Sequence, residues 1–238
     1  MVEKIVRGDI CLVAKTKDKT KLTPMLVVSN NTANHHSPVL LCASMSKGTK
    51  RYNTQALVHC NNENAIVYCD QITSVDRSRI FYKVGTLSKE DMLYVNKAIA
   101  VSLNLDNFHH NFHSLRGKIV YIAKGQGITG SEQNDADRPA VIVSSDLVNK
   151  TNDYLNYEVV FATTRSKNLL PTHVSLPAAQ SGFRETSTLL CEQVKAIPKK
   201  NTRIVSTYKG SMDDVNHALK IALGLTNHWE ENKCTTMM

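Results

Sequence analysis

Apolar and polar positions follow two rhythms along this chain. Short runs of β-branched and apolar residues, ICLVAK (10–15), PMLVVSN (24–30), PVLLCASM (38–45) and NAIVYCDQI (64–72), are bounded by polar turns and predict strands. From residue 88 the period lengthens. In SKEDMLYVNKAIAVSL, Met92, Val95, Ile99 and Leu103 share one helical face, and Ser88 followed by Asp91 resembles a capping box at its start. Met212, Val215, Leu219 and Leu223 repeat the stripe near the other end. Such stripes are expected to pack a core or a dimer face, with no cofactor site in them. The pattern predicts a small β-barrel closed by a C-terminal helix, made twice.

The duplication is visible in the residues themselves. RGDICLVAK (7–15) matches RGKIVYIAK (116–124) at an offset of 109, and PMLVVSNNTAN (24–34) matches PAVIVSSDLVN (139–149) at 115. IVYCDQITSV (66–75) matches TLLCEQVKAI (188–197) at 122, and VNKAIAVSLNL (95–105) matches VNHALKIALGL (215–225) at 120. The offsets change only between matched segments, as loops tolerate length changes that cores do not. Two tandem domains are expected, 1–106 and 114–238, joined by a linker at 107–113. His109, His110 and His113 in that join lack nearby thiols, and a metal site is not expected there.

Charge and cysteine usage narrow the setting. The formal charge is +8, with 14 basic against 9 acidic residues in 1–114 and 15 against 12 in the remainder. Both halves are basic, which suits a polyanionic partner. The six cysteines form no CxxC pair, and Cys11, Cys42, Cys69 and Cys191 lie in or beside apolar runs, as reduced core thiols do. Neither an apolar signal core nor a run long enough to span a bilayer is present. A cytoplasmic protein is expected.

Polar residues cluster unevenly between the halves. In the second, Ser131, Glu132 and Gln133 occupy a loop between strands, and Arg138 opens the next strand. Thr164 ends the run EVVFATT, Arg165 and Lys167 follow, His173 sits in PTHVSL, and Glu192 and Gln193 interrupt an apolar strand. Each has a plain structural role open to it: a surface ion pair for Arg138, strand propensity for Thr164, a packed histidine for His173, a turn brace for Glu192.

Taken together, RGKI, GSEQ…RPAVIVSSD, the strand ending in threonine, LPTHV, LLCEQV and the final helix resemble the MazF/PemK family of toxin endoribonucleases. The likeness covers 114–225. RGDI, VVSN, DQITSVDRSRI and KVGTLSKEDM extend it to 5–105. The resemblance implies a mainly β fold, tandem SH3-like barrels of the CcdB/PemK/MazF type, each with a C-terminal helix. It also implies metal-independent cleavage of single-stranded RNA by attack of a 2′-hydroxyl on the neighbouring phosphate, with no cofactor and no membrane. Arg138 would stabilise the phosphate and Thr164 would supply a hydroxyl. His173, Glu132 and Ser131 would transfer protons or position groups, and Gln133, Arg165, Lys167, Glu192 and Gln193 would contact RNA.

The first half has Thr23 where Arg138 is expected, lacks GSEQ, and has no histidine in NTQALV to match His173. A catalytically silent first domain is therefore expected, paired with the second as an intrachain pseudo-dimer. Lys15, Lys17, Lys19 and Lys21 alternate, either as a guide for an RNA backbone or as a solvated hairpin edge. The family implies an acidic antitoxin partner. Further homodimerisation is open, and the alternatives are an inactive decoy or a CcdB-like gyrase binder.

Overall fold

The computed structural model describes residues 4–14, 21–60, 63–106, 114–123, 138–164 and 170–226. The first repeat contains β1 (Asp9–Ala14), β2 (Leu22–Val27), α1 (Asn31–His36), β3 (Val39–Ser46), β4 (Gln55–Cys60), β5 (Glu63–Asp76), β6 (Ile80–Thr86) and α2 (Lys89–Leu103). The second contains β7 (Lys118–Ile122), β8 (Arg138–Ile142), α3 (Asp146–Lys150), β9 (Asn156–Thr163), β10 (His173–Leu176), α4 (Ala178–Ser181), β11 (Ser187–Pro198), β12 (Thr202–Thr207) and α5 (Met212–Ala222). The proposed linker at 107–113 and the tail at 227–238 lie outside the described residues.

Within each repeat the strands pair in the same antiparallel order, β6-β1-β2-β3-β5 with β4 on β5, and β12-β7-β8-β9-β11 with β10 on β11. A 3-10 turn, Arg77–Arg79 or Lys199–Asn201, links the long strand to the last one. Alternate residues explain the long apolar runs, because both faces of the strands are covered. One face of β1, β2, β3, β5 and β6 supplies a closed cluster that includes Cys11, Val13, Val27, Leu40, Cys42, Val75 and Ile80. The sheet must curl to bring these together, giving an SH3-like barrel. Val120, Ile142, Val159, Phe161 and Ile197 form the second such interior.

The opposite faces are not left to solvent. Leu26, Leu41 and Val67 of the first repeat join Val141, Val160 and Val194 of the second in one continuous core. Both helical stripes close it, with Val95, Ile99, Leu103, Val215, Leu219 and Leu223 fully buried. Ser88 caps α2 as expected, the Asp91 amide donating to its hydroxyl, while the Asp91 carboxylate accepts from that hydroxyl instead of from the backbone amide that a full capping box uses.

The repeats meet at matched positions. Thr73 of β5 pairs with Lys195 of β11, and these residues stand at the same place in the IVYCDQITSV and TLLCEQVKAI repeat, 122 apart. An antiparallel contact between equivalent residues is isologous, the relation a twofold axis would impose. Polar contacts repeat the exchange. Arg7 Nε donates to the Leu223 carbonyl at 2.8 Å and to the Val28 carbonyl at 3.1 Å, while its Nη2 donates to Asn96 Oδ1 at 2.7 Å. Arg116 makes the reciprocal set to Leu103 at 3.0 Å, Val143 at 2.9 Å and Asn216 Oδ1 at 2.5 Å.

These contacts have a clear energetic reason. The last carbonyls of any α-helix have no partner within the helix, and each helix end here is satisfied by the other repeat. The Asn30 amide donates to the Ala222 carbonyl and the Ser145 amide to the Ser102 carbonyl. Gly224, at φ +62, gives Arg7 its passage, since a Cβ there would fall 2.7 Å from Arg7 Cδ. Arg7→Ala and Arg116→Ala should each lower unfolding free energy by about 3 kcal/mol, because two carbonyls and an amide oxygen lose a charged donor. Guanidinium denaturation checks this, and a change under 0.5 kcal/mol in both would contradict it.

The short helices α1 and α3 and the strands β4, β6, β10 and β12 go beyond the elements read from sequence. In α1, NTANHH has weak intrinsic preference for helix. Its start is held by Asn30, whose side chain accepts from the Ala33 amide. Its end is held by Arg77, which donates to the carbonyls of Asn34 and Ser37. No helix among the described residues is long and apolar enough to cross a membrane.

Candidate active site

Arg138 opens β8 opposite Ile122. Its guanidinium lies 4.6 Å from the centroid of the Phe161 ring on β9, a cation–π contact that fixes the side chain. The group is half-buried, and loss of solvent pulls its pKa below the ordinary arginine value. The ladder pairs Ala140 with Phe161, so Arg138 and Thr163 each lie two residues further on, at the same end of the strand pair. Thr164 follows, solvent-exposed. The sequence pattern singles out Arg138 and Thr164 as candidates, and nothing in it points to Phe161 beneath the guanidinium.

Two more cations lie further along the sheet, where Lys195 stands opposite Val159, four residues from Thr163. Lys195 is pushed down to about 8, first by burial and then by the charges of Arg79 and Arg138. Arg79 belongs to the first repeat and is tethered through Nε to the Ala14 carbonyl at 2.9 Å. One positively charged region thus draws on both repeats, which neither Arg79 nor Lys195 signalled in sequence.

The histidine and glutamate form a second unit. His173 pairs with Leu190, and its Nε2 lies 3.0 Å from Glu192 Oε1. The Leu170 amide donates to Nδ1 at 3.3 Å, so in the neutral ring Nε2 carries the proton and donates it to Glu192. The His173 side chain is only 2% exposed. Glu192 Oε2 is buried and makes no hydrogen bond among the described residues, and Gln193 beside it is half-buried. The path from Arg138 to Glu192 crosses β8, β9 and β11, two strand spacings or roughly 10 Å. The structure therefore separates the sequence candidates into two groups on neighbouring strands.

Other candidates lie apart. Lys21 is exposed just ahead of β2. Lys15, Lys17, Lys19, Ser131, Glu132, Gln133, Arg165 and Lys167 lie outside the described residues.

The ladders locate the first repeat's counterparts. Thr23 pairs with Val13 as Arg138 pairs with Ile122. Gln55 pairs with Tyr68 as His173 pairs with Leu190, and Asp70–Gln71 match Glu192–Gln193 at the offset of 122. Gln55 Oε1 even takes over the imidazole's local task, accepting the Arg51 amide at 2.9 Å. At these matched positions the first repeat has neither arginine nor histidine, while the strand frame is the same.

Comparison with known proteins agrees with this frame. The chain is 26% identical to the endoribonuclease MazF of Staphylococcus epidermidis over 117 residues, which is 45% of this chain and 98% of that protein. It is 33% identical to the endoribonuclease EndoA of Bacillus subtilis (strain 168) over 108 residues, 44% of this chain and 91% of that one. Among solved structures, an endoribonuclease in complex with its cognate antitoxin from Mycobacterial species matches at a TM-score of 0.40 and 20% identity, covering 43% of this chain and 98% of its own. The family model described as PemK-like, MazF-like toxin of type II toxin–antitoxin system matches residues 6–103 and again 115–223. The chain belongs to this toxin family and carries the family's unit twice in tandem.

Proposed function

We propose that the chain is a metal-independent endoribonuclease that cuts single-stranded RNA at a short sequence, with one active site in the second repeat of an intrachain pseudo-dimer. The observation that carries this reading is the asymmetry at matched positions. Arg138, His173 and Glu192 stand where the first repeat has Thr23, Gln55 and Asp70. Relatives named endoribonucleases support the activity. The isologous Thr73–Lys195 pair and the reciprocal arginines support the pseudo-dimer.

The chemistry follows from what each group can do. The 2′-oxygen forms a bond to phosphorus while the P–O5′ bond breaks, leaving a 2′,3′-cyclic phosphate and a 5′-hydroxyl. One proton leaves the 2′-hydroxyl and one reaches O5′. Negative charge builds on the non-bridging oxygens, where a fixed guanidinium acts more strongly on the transition state than on bound substrate. Arg138 fits that task because partial burial limits screening and its fork bonds two oxygens. Thr164 donates its hydroxyl to the same phosphate. His173, covered and bonded at both ring nitrogens, is a positioning residue that orients Glu192. Glu192 and Gln193, about two strands away, contact the adjoining base, and Glu132 is left as a candidate for proton transfer.

The basic surface fits an acidic antitoxin, through charge complementarity that speeds and selects association. Such a pair would operate in the cytoplasm. The test is cleavage of a long single-stranded RNA in EDTA by wild type and Thr164→Ala, with product ends identified. Discrete cuts bearing cyclic phosphate, slowed at least tenfold in the variant, are expected. Absence of cutting by wild type at any salt would replace the enzyme by an inactive binder.

A further inference from the structure

Where the repeats meet, the first one carries a pocket whose walls differ from those of its counterpart. A cavity of about 540 Å³ lies around Asp70, which matches Glu192 of the second repeat. The Gln55 and His173 amides donate to the carbonyls of Tyr52 and Leu170 respectively, so Tyr52 stands in the place of Leu170. Tyr68 likewise stands in the place of Leu190. Both tyrosines line the cavity, together with Tyr154 of the second repeat.

Asp70 is the buried anchor of this space. It is 8% exposed, and its Oδ1 is buried with no hydrogen-bond partner among the described residues, which costs free energy until a donor arrives. Burial raises the carboxyl's pKa, against bonds from its own backbone amide and the Thr54 hydroxyl, and a cation placed beside it would lower the pKa again. A smaller chamber of about 140 Å³ shares Asp70, Gln71, Asp153 and Tyr154 with the larger one. Its described lining includes no lysine or arginine, and its volume suits roughly four water-sized atoms.

The walls select for charge. Asp153 brings a second carboxylate from the second repeat, accepting from the Tyr52 hydroxyl at 3.2 Å, and the hydroxyls of Thr54 and Tyr154 are 3.0 Å apart. The Tyr52 and Tyr154 rings stand 5.1 Å apart at 49°. Carboxylates and aromatic faces both present negative potential, so a cationic donor is favoured over a neutral one. Lys47 and Arg51 are exposed on the larger cavity, and Lys47 is paired with Glu63 at 2.6 Å, so solvent and pairing weaken their opposition. A metal ion suits the pocket less well. No group of three or more His, Cys, Asp or Glu among the described residues could hold one.

We propose that this pocket binds a guanidinium group, its planar fork donating to Asp70 and its face lying against tyrosine, on a small molecule or on the arginine side chain of a protein partner. Guanidinium suits the site better than ammonium, because its fork pairs with carboxylates and its face stacks on aromatic rings. Its further N–H groups match the acceptors of Asp153 and Gln71. The inference stands apart from RNA cleavage, since Asp70, Asp153 and the tyrosines are not part of the site of Arg138 and Thr164.

The experiment is isothermal titration calorimetry of the full chain at low salt with agmatine, with capped Gly-Arg-Gly, and with capped Gly-citrulline-Gly, whose urea keeps the shape and loses the charge. Agmatine and the arginine peptide should bind, and the citrulline peptide about tenfold more weakly than the arginine one. Asp70→Asn should weaken guanidinium binding about tenfold, and Tyr52→Leu should weaken it several-fold. Glu192→Gln, at the matched position of the second repeat, should leave it unchanged. Tighter binding of agmatine would assign the group to a small molecule, and tighter binding of the arginine peptide to a protein partner. Equal binding of the arginine and citrulline peptides, equal affinity in Asp70→Asn and wild type, or no binding of either guanidinium would overturn the proposal. If neither guanidinium binds and Asp70→Asn changes RNA affinity instead, the pocket belongs to nucleic acid. The cutting assay decides the RNA reading separately.

Discussion

Arg138→Ala should cut RNA 10²- to 10³-fold more slowly than wild type, the loss expected when a preorganised charge at a developing oxyanion is removed. The effect should fall on kcat. Ground-state affinity should change little, because where binding is spread over many phosphate contacts one arginine supplies about one unit of the salt slope. Arg138→Lys should recover only a small part, since an ammonium cannot bond two phosphate oxygens in the same plane. Single-turnover cleavage beside anisotropy with a 2′-O-methyl substrate separates the two quantities. A variant that cleaves at the wild-type rate would remove Arg138 from the chemistry. Because Arg138 opens its strand half-buried over Phe161, thermal melts of both variants should stay close to wild type, and rate losses then report on catalysis.

The second large effect concerns stability and a residue outside the site. Glu158 is fully buried in the zone where the repeats meet, accepting from the Ser102 hydroxyl at 2.7 Å and the Ile72 amide at 3.4 Å. Its counterpart is Leu41. The amides of Val28 and Ser29 donate to the Leu41 carbonyl as those of Val143 and Ser144 donate to the Glu158 carbonyl. Burial pushes the carboxyl up to about 8, with the nearby Asp70 charge adding to the shift. A group whose folded pKa is raised stabilises the fold most fully below its unfolded value, and that contribution is lost as pH rises through the folded value. Stability should therefore decline between pH 4.5 and 8, by roughly 3–5 kcal/mol from this residue. Glu158→Gln keeps the shape, can accept from Ile72 and can donate to Ser102. It should be near neutral at pH 5, raise stability by about 3 kcal/mol at pH 8.5, and flatten the profile between. Parallel wild-type and variant profiles would refute the assignment.

Much of the architecture is legible in the residues. The helical stripes are the buried faces of α2 and α5, the apolar runs are strands, and the matched segments occupy matching places in the two ladders. Arg138 and Thr164 stand out because they break an otherwise apolar pattern. His173 and Glu192 are legible as unusual residues, but their mutual bond is not, since they lie 19 residues apart on different strands. The tyrosine pocket was missed altogether. Tyr52, Tyr68 and Tyr154 read singly as ordinary amphipathic side chains, and only folding brings the last of them from the second repeat to the first.

Residue pattern along the chain gives the two-copy plan, the principal strands with their closing helices, and the half in which the arginine and histidine stand at the matched positions. These are set by local periodicity and residue identity, which depend on near neighbours along the chain. Tertiary structure alone decided that the copies share one core, that Thr73 and Lys195 meet, that each helix end is capped by the other copy, and that Glu158 is sealed between them. Those outcomes depend on which apolar faces bury one another across more than a hundred residues, and a buried face carries no mark along the chain that names its partner.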